Sequence, residues 1–96
     1  MTEDDQKASS ADGGAPSEFP TEFPLKAIGK GPDFAAEVFA LVQAHTGPLD
    51  ESALSMRPSA GGKYTAVTVR FTAQSRAQLE AIYRDLHAHP DVLTTL

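Results

Sequence analysis

Ninety-six residues, about 10.2 kDa, suffice for one domain and are too few for two. Thirteen acidic against eight basic residues give a formal net charge of −5, which argues against a dedicated nucleic-acid binder or an adhesin for anionic membranes, since both want a basic footprint. The chain has no cysteine, which excludes a disulfide, a thiol nucleophile and any Cys-based zinc or iron–sulfur site.

No apolar run approaches the roughly 18 residues of a membrane helix, and the polar, acidic N-terminus does not resemble a secretion signal. The expectation is a small soluble protein of the cytoplasm, with no membrane partner. Residues 1–18 hold five acids (Glu3, Asp4, Asp5, Asp12, Glu18) and one base, Lys7, and contain no Val, Ile, Leu or aromatic residue. They carry −4 of the formal charge and cannot bury enough surface to offset their own ordering. They are expected to form a disordered acidic tail ahead of a folded domain at residues 19–96.

The folded part reads as six elements in chain order. Phe23, Leu25 and Ala27 alternate with Pro24, Lys26 and Ile28, which predicts a first strand with its odd-numbered side chains inward. Gly29, Gly31 and Pro32 stop it. From Asp33 the period becomes helical, with Phe34, Val38, Leu41, Val42 and His45 on one stripe, Phe39 on its flank, and Gly47-Pro48 as the stop. Residues 52–58 alternate again, with Leu54 and Met56 on one side and Ser55 and Arg57 on the other. Ser59-Ala60-Gly61-Gly62 is a turn signal.

Residues 63–73 form the clearest strand. Thr65, Val67, Val69 and Phe71 face one way, and Tyr64, Ala66, Thr68, Arg70 and Thr72 the other. A hairpin turning about Ala60-Gly61 pairs residue 56 with 65 and 57 with 64, placing Arg57 beside Tyr64. Ser75 with Gln78 three residues on makes a capping box ahead of Leu79, Ile82, Tyr83 and Leu86 at helical spacing. Pro90 ends that helix near residues 87–89, and Val92, Leu93 and Leu96 close the chain as a short strand.

Strand, helix, strand, strand, helix, strand, each strand with one apolar face, implies two helices on one side of a four-stranded antiparallel sheet. Two right-handed strand–helix–strand units joined by a hairpin give an α+β, ferredoxin-like βαββαβ sandwich of strand order 4-1-3-2. One face of that sheet stays open to solvent.

Phe19-Pro20-Thr21-Glu22-Phe23, then Lys26, Gly29, Val38 and Val42-Gln43, resemble the opening of the bacterial YbeD-like proteins. Arg57-Pro58-Ser59, Gly62, Tyr64 and Val67 resemble their central hairpin, and Leu79, Tyr83, Leu86, Val92 and Leu96 their second helix and last strand. The resemblance covers residues 19–96 and leaves out the acidic leader. It implies the same ferredoxin-like architecture, similar to small-molecule-sensing ACT regulatory domains, in a family without established catalytic activity.

Candidate chemistry is sparse. His45 ends the inner stripe of the first helix, where a histidine caps carbonyls or edges the core. His87 and His89 read as surface residues, with no third ligand at metal spacing. Asp50-Glu51 sits at a loop, and Glu80 and Asp85 read as solvated helix acids flanked by Arg76 and Arg84. Ser59 has no base in reach. Nucleophile, base and oxyanion donors do not converge anywhere, so no enzyme, metal or cofactor is expected.

Two functions of different class stay open. The open face of the sheet, with Lys26, Arg57, Tyr64, Thr68 and Arg70, suits docking of a protein partner or self-association; with Tyr64 alone as an aromatic there, no nucleic-acid partner is expected. The loop containing Gly29, Lys30, Gly31 and Asp33, ahead of a helix N-terminus, suits a small carboxylate such as an amino acid, as in an ACT-type sensor.

Overall fold

The structure is a computed structural model, and it describes residues 19–96; the expected acidic tail lies outside the described residues. Its elements are β1 (Thr21–Gly29), α1 (Phe34–Thr46), β2 (Leu54–Pro58), β3 (Thr65–Ala73), α2 (Arg76–Ala88) and β4 (Val92–Thr95). The four strands form one antiparallel sheet in the order β2-β3-β1-β4. This is the ferredoxin-like α+β arrangement that the order of elements implies. No helix among the described residues is long and apolar enough to cross a membrane.

The alternation read from β1 and β3 decides which face of the sheet is covered. Leu25 and Ala27 on β1, and Val67, Val69, Phe71 and Ala73 on β3, are buried against Phe34, Val38 and Val42 of α1 and Ile82 and Leu86 of α2. β1 and β3 pair over their full length, from Thr21 opposite Ala73 to Gly29 opposite Thr65. β4 pairs only with Ala27, Ile28 and Gly29 of β1. Pro24, which has no N–H to give a ladder, therefore lies where the β4 side of β1 has no partner strand.

The β2–β3 hairpin departs from the expected register. Met56 lies opposite Val67 and Arg57 opposite Ala66, so the expected 56–65 and 57–64 pairs do not form. The turn is longer than a two-residue hairpin. Ser59 N–H donates to Tyr64 O at 2.7 Å, Tyr64 N–H to Ser59 Oγ at 3.0 Å and Gly62 N–H to Ser59 O at 2.8 Å. Gly61 and Gly62 take φ of 86° and 71° inside it, a region glycine enters without a Cβ penalty. The slip is by two residues, so the faces are kept. Tyr64 moves out of the strand into the turn. Residues 51–53 form a single 3₁₀ turn capped by Asp50, whose Oδ2 accepts from Ser52 N–H at 2.8 Å, so β2 starts at Leu54 rather than residue 52.

Met56 faces the helix side, as its alternation requires, yet is 64 % exposed because the helices cover β1 and β3 and stop short of the edge strand. At the start of α2, Ser75 Oγ accepts from Gln78 N–H at 3.1 Å. The reciprocal bond of the capping box is shifted by one residue: Gln78 Oε1 accepts from Gln74 N–H at 2.8 Å. Gln78 Nε2 also donates to His45 O at 3.1 Å, which ties the end of α1 to the start of α2.

Candidate functional site: the open face of the sheet

With both helices on one side, the even-numbered residues of β1 and β3 and the odd-numbered residues of β2 point to the other. The pairing sets them in rows across the sheet. Arg57, Ala66, Ile28 and Thr94 form one row, and Ser55, Thr68 and Lys26 the next, where Leu96 N–H bonds Lys26 O at 3.0 Å. Arg70 lies opposite Pro24 in the third row, and Thr72 opposite Glu22 in the fourth. A shallow hollow of about 360 Å³ lies over the first two rows, lined by Lys26, Ile28, Ser55, Arg57, Ala66, Thr68 and Leu96.

Lys26 and Arg57 stand on opposite sides of β3, two strand spacings and one row apart, roughly 10 Å across and 7 Å along the sheet. Their long side chains can both reach an anion above Thr68, where the hydroxyls of Thr68 and Ser55 add donors. Arg70 extends the basic track by a further row. Among the described residues the ion pairs are His45–Asp85 and His89–Glu37, so Lys26, Arg57 and Arg70 keep their charges unpaired there. Glu22, at the far end of the face, is its one acid among the described residues. Ile28, Ala66 and Leu96 make one flank of the hollow apolar, and Leu96 is 68 % exposed. The outward positions of β1 and β3 carry no aromatic ring, so stacked bases have no platform on the sheet.

The edge of the sheet beside this face is blunted. Hydrogen bonding toward β3 at Ser59 places residues 57 and 55 in bonded pairs, which turns the backbone of Leu54, Met56 and Pro58 outward. Pro58 has no N–H, and Leu54 N–H is turned back to Glu51 O. Met56 is left as the β2 residue with a free outward N–H, too little to template another strand.

The Gly29–Asp33 loop is packed from within. Lys30 N–H donates to Asp91 O at 3.2 Å and Phe34 N–H to Gly31 O at 3.3 Å. Asp33 caps α1 by position without a side-chain hydrogen bond. Gly31 has a φ of 111° and lies close to the Asp91 carboxylate.

Beside that loop, ligand atoms of Glu37, His89 and Asp91 lie within 4.8 Å of one another. Asp91 N–H donates to His89 Nδ1 at 3.0 Å, which puts the ring proton on Nε2, 3.0 Å from Glu37 Oε1. A metal on Nε2 would have to displace that proton and leave the ring with none. As bonded, the trio is a strut from α1 to the α2–β4 turn.

His89 is therefore not the surface residue its position near a helix end suggests: its side chain is 18 % exposed and faces Glu37, more than fifty positions earlier in the chain. Asp85 likewise pairs across the helices, with His45 Nε2 at 2.6 Å, and not with the arginines of its own helix. His87 is exposed and reaches Thr95 Oγ1 at 3.2 Å. Asp50 is held below the usual carboxylate range by its bonds to Ser52, and burial pushes the Tyr83 phenol up.

Residues 15–96 match the model of a family described as a protein of unknown function, DUF493. A UPF0250 protein of Paraburkholderia phytofirmans is 45 % identical over 82 % of this chain and 90 % of its own length. One from Ralstonia nicotianae is 45 % identical over 82 % of each chain, and one from Bordetella parapertussis 41 % identical over 82 % of this chain and 88 % of its own. The open face and the strut beside the glycine loop are thus features of a member of this family: the chain belongs to the DUF493, or UPF0250, family of YbeD-like bacterial proteins of unknown function.

Proposed function

We propose that the protein is a non-enzymatic regulatory or adaptor domain of the cytoplasm, and that the open face of its sheet docks an acidic segment of a protein partner. The observation that carries this reading is the set of three cations, Lys26, Arg57 and Arg70, unpaired among the described residues, on the uncovered face of a chain whose net charge is −5. Exposed strand cations also blunt unwanted pairing, but these sit on β1 and β3 in the sheet interior as well as on the edge. The hydroxyls of Ser55 and Thr68 and the apolar flank of Ile28 and Leu96 suit an acidic side chain beside an apolar one.

Self-association through β2 is disfavoured by the blunted edge. A small-carboxylate sensor at Gly29, Lys30, Gly31 and Asp33 is the weaker reading, because the carboxylates of Glu37 and Asp91 lie beside that loop, Asp33 adds a third acid, and the Lys30 N–H is already bonded to Asp91 O.

The test is a comparison of proteins captured from bacterial extract by the wild-type chain and by the Arg57→Glu/Arg70→Glu variant. The expected result is a partner retained by the wild type, eluted by moderate salt and lost with the variant, while thermal stability is nearly unchanged. Equal capture by both chains would place the docking surface elsewhere, on the outer faces of the helices or along β2.

A further inference from the structure

At the end of the sheet away from the glycine loop, a hollow of about 310 Å³ opens between the start of β1 and the start of α2. Its walls are Phe19, Phe23, Leu79 and Tyr83, with Arg76 and Glu80 at the rim. The Phe23 ring is fixed from two sides: it meets Tyr83 edge-on at 6.4 Å between centroids and Phe71 at 6.1 Å. Such tilted and edge-on contacts hold aromatic rings in place, so the cavity has a preformed apolar floor.

Arg76 and Glu80 are one helical turn apart on the same face of α2 as Leu79 and Tyr83. At that spacing opposite charges commonly pair, yet they make no ion pair within 4.0 Å with each other or with any described residue. The hollow thus presents a cation and an anion, neither paired with a described residue, above an aromatic floor.

We infer that this hollow binds a zwitterionic α-amino acid with a large apolar side chain, its carboxylate toward Arg76, its ammonium toward Glu80 and its side chain laid on the floor made by Phe23 and Tyr83. A volume of 310 Å³ is at the small end of ligand pockets, which run from roughly 300 to 1,000 Å³. That size admits an amino acid and is too small for a cofactor such as a dinucleotide. A simple anion meets Glu80 and a simple cation meets Arg76; only a ligand with both charges satisfies the rim. The chain's own residues 1–18 have no Val, Ile, Leu or aromatic side chain with which to fill the floor. This site is separate from the docking face and stands or falls without it.

The test is a titration of the full ¹⁵N-labelled chain with L-phenylalanine, N-acetyl-L-phenylalanine and L-phenylalaninamide, read by amide chemical shifts. Saturable shifts at Phe23, Arg76, Leu79, Glu80 and Tyr83 are expected with the free amino acid. Blocking either end should weaken binding by roughly tenfold, as loss of a charge-assisted hydrogen bond does. Glu80→Gln should weaken L-phenylalanine without weakening the N-acetyl compound, and Arg76→Gln should weaken L-phenylalanine without weakening the amide. Both substitutions are on the exposed face of a helix, and unchanged spectra elsewhere certify the fold. No saturable shift at these residues overturns the inference. So does a shift that follows protein concentration alone, which would make the hollow a contact between copies of the chain.

Discussion

Gly29→Ala tests the packing where β1 passes into the loop. Gly29 has an ordinary φ, so the change carries no backbone strain of the left-handed kind. A Cβ built there would instead run into the Phe34 ring and the Asp91 carbonyl oxygen, both far inside van der Waals contact. Phe34 is 1 % exposed, so the ring has no outward path, and the Asp91 oxygen is held by Lys30 N–H at 3.2 Å. Overpacking of this kind costs about 1–3 kcal/mol, and two immovable neighbours argue for the upper end. Reduced freedom of the unfolded chain returns about 0.4–1 kcal/mol.

The net is a loss of about 2 kcal/mol for Gly29→Ala, which in a domain of this size lowers the melting temperature by roughly 8–16 °C. Urea denaturation followed by circular dichroism should show a lower midpoint with an unchanged slope. Adding Phe34→Leu should recover part of the increment caused by the alanine but not all, because the Asp91 carbonyl stays in place. A Gly29→Ala protein as stable as the wild type, or more so, would refute the close approach of β1, α1 and the α2–β4 turn at this point.

Val69→Ala and Leu86→Ala, both fully buried, should each cost roughly 2–4 kcal/mol in chemical denaturation, while Thr68→Ala on the open face should cost far less; equal losses would invert the faces of β3. Ser75→Ala removes the acceptor of Gln78 N–H and should cost about 1 kcal/mol, and a neutral result would move the start of α2. Burial raises the Tyr83 pKa in the folded protein, so its contribution to stability is complete below the ordinary tyrosine value of about 10 and lost as pH rises through the folded value. Ultraviolet titration should show a phenol ionising above that value in the wild type and absent in Tyr83→Phe, and no late phenol in the wild type would contradict the burial.

Local signals specified the elements because each rests on neighbours a few residues apart. The period-two alternation of residues 65–73 identified β3 and both its faces, and Ser75 with Gln78 located the start of α2. The hairpin register escaped because two glycines in succession fit turns of several lengths, and the Ser59 side-chain bond that lengthens this one has no pattern in a single sequence. The basic face was legible, since only alternation is needed to place Lys26, Arg57 and Arg70, and a two-residue slip preserves it. Tyr64 was misplaced by that slip, out of the strand and into the turn. The partners of His45 and His89 were not legible: they lie 40 and more positions away, on the neighbouring helix, and no local rule of spacing reaches across a helix pair.

The central position of β1 and β3 bears on what happens when the chain is cut. Each belongs to a different strand–helix–strand half, and they pair over nine positions in the middle of the sheet. Neither half can cover its own strand with a complete core, since α1 follows β1 in one half and α2 follows β3 in the other while both pack on the shared sheet. The turn that joins the halves is open, with nothing near a Cβ built at Gly61 or Gly62. Cleavage there should yield two fragments that remain unfolded apart and restore the sheet when mixed, so that the protein behaves as a matched pair of halves whose reassembly can report on any two molecules fused to them.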